Sequence, residues 1–136
     1  MSDVLEHRQR RTLAPAPRTV ALAVVADAAL VTLFAGIGRS SHDRTTSVSG
    51  LLETAWPFIA GLGIAWLAIR AFRRPLSIMR SGLPLWIGAV AIGMLLRAAT
   101  GAGTAVSFVV VTAVTLGVFL IGWRAIAVLV IRLRSR

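Results

Sequence analysis

The stretch VALAVVADAALVTLFAGIGRSSH, Val20 to His42, decides the fold. Between Val20 and Ile37 the residues are apolar or glycine except for Asp27 and Thr32. At ~1.5 Å of rise per residue, such a run is the length a helix needs to cross roughly 30 Å of hydrocarbon. One carboxylate, Asp27, falls near its middle, and the run closes in a dense polar cluster, Gly38-Arg39-Ser40-Ser41-His42-Asp43.

Three more apolar runs follow, so the first is not an isolated anchor. Of the 136 residues, 57% are hydrophobic and only 15% are charged, where a soluble domain would carry about a quarter. The chain reads as an all-α polytopic membrane protein with four transmembrane helices in an antiparallel bundle. The spans are expected at about 18–37, 51–72, 84–100 and 104–123, with a helix-compatible extension to 131. Residues 1–17, polar and ending in APAP, read as a disordered cytoplasmic tail, 18–131 as the membrane domain, and 132–136 as a basic C-terminal tail. Gly38 is expected to end the first helix, and Ser49 or Gly50 to cap the second, with Glu53 in its first turn. Pro57 either starts that helix or kinks it. The turn Gly101-Ala102-Gly103 is so short that the last two helices must be neighbours.

Charge sets the orientation. The net charge is +10 and all fifteen basic residues are arginine. Placing both termini in the cytoplasm puts twelve of them inside (Arg8 to Arg18, Arg70 to Arg80 and Arg124 to Arg136) and only Arg39 and Arg44 outside, with Arg97 inside a span. The expected location is therefore the cytoplasmic (inner) membrane, with arginine clusters meeting anionic head groups. Without aromatic interleaving or a basic helix face, this charge does not indicate nucleic acid. Trp66, Trp86 and Trp123 near the inner boundary and Trp56 near the outer one read as an aromatic belt.

Other signals exclude more than they assert. There is no cysteine, hence no disulfide, thiolate metal site or cysteine nucleophile, and no cofactor-binding motif is present. Arg10-Arg11-Thr12-Leu13 imitates a twin-arginine leader, but the following apolar run is too long and contains Asp27, so an uncleaved first helix is expected. The pairs Gly61/Ala65, Ala89/Gly93 and Ala113/Gly117, each four apart, suit close helix packing, within the chain or in a homodimer.

The candidate functional polar residues are Asp27, Arg39, His42, Glu53 and Arg97. A carboxylate deep in a bilayer costs a few kcal/mol and must be paired, hydrated or protonated. Arg97, the arginine inside a span, is its expected partner. Asp27 lies about 16 Å below the outer end of its helix and Arg97 about 6 Å below the end of the third, a gap of about 10 Å. The pair either fixes packing or makes Asp27 a proton or cation site. Arg39, Ser40, Ser41 and His42 form a candidate anion site or a simple polar cap, and His42, Asp43 and Glu53 a weaker metal set. Ser, His and Asp so close in sequence rarely converge as a triad. Arg124, after Trp123, is expected to snorkel to inner head groups.

The order of these features resembles a known family. An Asp-bearing first helix leads to FAGIGRSSH (Phe34–His42); TAWPFIAG (Thr54–Gly61) opens the second helix; Arg97 and Gly101 close the third; and GWR (Gly122–Arg124) closes the fourth. Together they resemble the prokaryotic four-helix membrane family called domain of unknown function 3054, over about Arg18 to Arg124. The resemblance implies membrane location and four helices and brings no reaction, substrate or partner. It adds Trp56, Pro57 and Arg124 as structural motif residues beside Asp27, Arg39, His42 and Arg97.

Two functions lead. One is a small transport-type protein, a homodimer moving a small solute or protons, using Asp27 balanced by Arg97. The alternative is a structural or accessory subunit binding a partner protein or anionic lipid. A lipid-directed enzyme using His42 and Arg39 ranks last. The two leading readings differ in whether Asp27 faces a polar cavity or is sealed.

Overall fold

The computed structural model describes residues 1–6, 15–40 and 47–136, except the side chains of residues 39 and 40. Four helices organise it: α1 (Pro17–Ser40), α2 (Val48–Ala68), α3 (Leu83–Ala99) and α4 (Val106–Arg134). Among the described residues there is no strand. Four segments are long and apolar enough to cross a membrane: 17–38, 48–68, 78–99 and 106–134. Four helices of spanning length are therefore present, as expected, the second ending at Ala68 and not at residue 72. A 3₁₀ turn, Ala71–Arg73, and a π-helical turn, Ile78–Gly82, connect α2 to α3.

Local chemistry explains the ends. Ser47, with extended backbone, caps α2 by accepting the Gly50 amide at 3.1 Å. The cap thus lies before Ser49 and Gly50, and Glu53 becomes the sixth residue of the helix, exposed and beyond the first turn. Gly38 does not end α1. The helix continues to Ser40 because Gly38 keeps helical geometry in open space, and a glycine stops a helix only when it turns left-handed. Pro57 sits inside α2 and is buried, so it neither starts the helix nor leaves its ring in lipid. Arg70, with φ 54°, takes the left-handed position that ends α2, a conformation that costs a non-glycine residue roughly 1–2 kcal/mol. Gly101 does the same after α3 at φ +76°, without that cost.

Each helix buries a narrow stripe. In α1 the buried positions are Ala23, Asp27, Val31, Phe34 and Ala35, and in α4 they are Thr112, Leu116, Leu120 and Arg124. Steps of three or four residues keep a stripe on one helix face. Asp27 and Arg124 thus occupy stripe positions otherwise filled mainly by apolar side chains.

Close approach between α2 and α3 rests on missing side chains. A Cβ on Gly61 would lie 3.1 Å from the Ala89 carbonyl oxygen, one on Gly88 would lie 2.7 Å from the Ala65 Cβ, and one on Gly93 would run into the Phe58 ring. Trp86 lies over Gly117 and donates its indole N–H to the Ala113 carbonyl at 2.7 Å. The small-residue pairs read from sequence are therefore used within the chain. Phe34 meets Phe58 edge-on at 5.7 Å, tying α1 to the same core.

Candidate functional site: a sealed carboxylate

Asp27 pairs with Arg124. Both side chains are fully buried, and Arg124 Nη2 lies 2.7 Å from Asp27 Oδ2. A second bond runs from Nη1 to Oδ1 at 2.8 Å, giving the bidentate fork that guanidinium and carboxylate planes favour. Trp66 donates its indole N–H to Oδ2 at 3.0 Å and Trp123 donates to Oδ1 at 2.7 Å. Each carboxylate oxygen thus accepts two N–H groups, and α1, α2 and α4 meet at one point.

The arginine is equally engaged. Its Nε donates to the Pro75 carbonyl at 2.8 Å and Nη1 donates also to the Leu120 carbonyl at 2.9 Å. The guanidinium carbon lies 4.6 Å from the Trp123 ring centroid, within cation–π range. Room for its stem comes from Gly82, where a Cβ would stand 3.1 Å from Arg124 Cδ. The π turn places that glycine: the amides of Ser81 and Gly82 both donate to the Ser77 carbonyl, at 3.1 and 2.9 Å. Such turns are frequent where a helix is locally reshaped for a site.

The expected Asp27–Arg97 pair is not formed, and helix lengths explain why. Asp27 stands ten residues from the start of α1, and Arg124 ten residues before the end of α4, each ~15 Å in. They lie level. Arg97 is two residues from the opposite end of α3. It donates from Nε and Nη2 to the Gly103 carbonyl, at 3.1 and 2.9 Å, and lies 4.4 Å over the Phe108 ring. It thereby clips the turn between α3 and α4.

Two more expectations change. Arg124 does not snorkel; α4 continues ten residues beyond it as one helix, which keeps its guanidinium inside the packing. The indole N–H groups of Trp66, Trp86 and Trp123 each point inward to an acceptor and not out to head groups. Trp56, 44% exposed, keeps the outward position.

Of the remaining candidates, Glu53 does not join this site; it is exposed on α2. Arg39 lies in α1 with its side chain outside the described set, and His42 and Asp43 are outside it altogether, as is the anion cluster built on them. Among the described residues no three His, Asp or Glu side chains group as metal ligands. Sequence reasoning missed Trp66 and Trp123 as donors, and the Pro75 carbonyl and Gly82 as supports.

No curated protein and no solved structure matches the chain. One family model does, over residues 24–127, a range that holds Asp27, Trp66, Gly82, Trp123 and Arg124. The chain belongs to that family, described as Protein of unknown function (DUF3054).

Proposed function

We propose that the chain is a structural or accessory protein of the cytoplasmic membrane, a four-helix antiparallel bundle with both termini on the cytoplasmic side. The observation carrying this reading is the saturation of Asp27. A carboxylate that couples protons or cations to transport must reach water and exchange partners. Asp27 is fully buried and already accepts four N–H groups, so loading it would first require breaking the Arg124 fork. That favours an accessory role over transport, and a lock between helices over a carrier site.

The orientation rests on charge. With Arg124 removed from the boundary count, eleven arginines remain on the proposed inner side against Arg39 and Arg44 outside. The antiparallel order is supported by contacts that run oppositely along α2 and α3, with Phe58 against Gly93 and Ala65 against Gly88.

Reconstitution into proteoliposomes tests the proposal. Vesicles holding the wild-type protein should show no proton-driven uptake of cationic solutes beyond empty vesicles. Uptake that is present in wild type and absent in Asp27→Asn would overturn it in favour of a carrier.

A further inference from the structure

We infer that the connection between α2 and α3, residues 69–82, is a preordered binding site for the phosphate of an anionic phospholipid. This deepens the accessory reading, on which it rests for the membrane setting. Among the described residues, no arginine of this connection forms an ion pair. After Glu53 the sequence holds no acidic residue, yet it holds nine arginines. Arg124 is neutralised by Asp27, and Arg97 stands at the far end of α3. Arg70, Arg73, Arg74 and Arg80 are exposed on the connection, so a matching anion must come from outside the α2–α3 hairpin.

The backbone beneath these arginines is tied down. The Arg73 and Arg74 amides donate to the Arg70 and Ala71 carbonyls at 3.0 and 3.1 Å. Ser81 donates its hydroxyl to the Arg74 carbonyl at 2.6 Å, and Ser77 accepts the Arg80 amide at 3.1 Å. Arg124 holds the Pro75 carbonyl from within. Ala71, Pro75 and Ser81 are buried while the arginines are exposed. A fixed backbone removes part of the ordering cost of binding, and guanidinium groups match phosphate oxygens bidentately.

Depth selects a lipid over a soluble anion. Phe72 and Met79, 43% and 71% exposed, alternate with the arginines. Apolar side chains among cations at the end of a span suit the boundary where acyl chains meet head groups. A free phosphate would leave both in water.

Thermal unfolding in a neutral detergent, titrated with phosphatidylglycerol or phosphatidylcholine, tests the assignment, with native mass spectrometry counting bound lipid. Wild type should be stabilised by phosphatidylglycerol and not by phosphatidylcholine, and the effect should fade in high salt. The variant R73Q/R74Q/R80Q should bind it on the order of a hundredfold more weakly, R73K/R74K/R80K should fall between that variant and wild type because lysine keeps the charge and loses the bidentate fork, and R132Q/R134Q, at the end of α4, should resemble wild type. Equal stabilisation by both lipids overturns the proposal. So does unchanged binding in the Gln variant, equal loss in R132Q/R134Q, or an equal response to soluble glycerophosphate. Should the Gln variant fail to fold, shown by lost burial of Trp66 fluorescence, the lipid preference and salt dependence of wild type decide. Flux through Asp27 would refute the accessory reading without altering any of these lipid measurements.

Discussion

Replacing Asp27 by Asn changes almost no volume and should still unseat the fold. The carboxylate accepts four N–H groups from Arg124, Trp66 and Trp123. An amide presents one oxygen and one NH₂, so donors that met an oxygen now meet another donor. Arg124 meanwhile keeps its charge at zero exposure with no counterion. Hydrogen bonds to charged groups are worth about 1.5–3 kcal/mol each, but four bonds to one carboxylate form a network and do not add. Removing one partner of a buried pair costs about 3–5 kcal/mol, and that is the expected loss for Asp27→Asn and for Arg124→Met. Measured against the single variants Asp27→Leu and Arg124→Met, the double variant Asp27→Leu/Arg124→Met should lose far less than the sum of their losses, with a coupling of at least about 3 kcal/mol. Part of the loss will persist, because the Pro75 carbonyl and two indole N–H groups lose partners, at about 1–3 kcal/mol for each one left buried. Denaturing-detergent titrations followed by tryptophan fluorescence provide all four corners of this cycle. An Asp27→Asn protein within about 1 kcal/mol of wild type, or strictly additive losses, would refute the reasoning.

Gly93→Ala should destabilise by about 1–3 kcal/mol, because its Cβ meets the Phe58 ring, whereas Gly63→Ala, in open space, should be neutral or slightly stabilising in the same titration. Arg97→Gln should cost less than Arg124→Met, about 1 kcal/mol, since Arg97 clips an exposed turn, and proteolysis between α3 and α4 should quicken.

Reading the sequence recovered the four spans and found Asp27, because apolar length and a charge within it are local signals. Its partner was misassigned for a local reason as well. Arg97 stands inside a conventional run, so it looked like the intramembrane arginine, while Trp123-Arg124 looked like the end of a span. Yet Ala125–Ile131 is apolar, and α4 continues straight through it. Counting the run as Val106–Ile131 would have placed Arg124 inside, at the depth of Asp27. The four-residue stripe Thr112, Leu116, Leu120, Arg124 carried the same signal.

Other features had no sequence signature. Whether a tryptophan faces lipid or donates inward depends on helix rotation, which packing decides. Trp66 and Trp123 therefore resembled Trp56 until the helices were in place. The π turn that brings Gly82 under Arg124 is likewise a product of packing, as the fourteen residues 69–82, mostly arginine, serine and apolar side chains, fit several turn geometries. The small-residue pairs marked close approach correctly but could not say which helix approached.

The claim that Asp27 is sealed is tested most directly on the unaltered protein, by following the indole N–H resonances of Trp66 and Trp123 in lipid nanodiscs transferred to deuterated buffer. Both donate to a buried carboxylate, so both signals should persist until the helices separate, and both should move in Asp27→Asn. Exchange of either signal as fast as that of an exposed indole would contradict the account, for it would mean that water reaches Asp27.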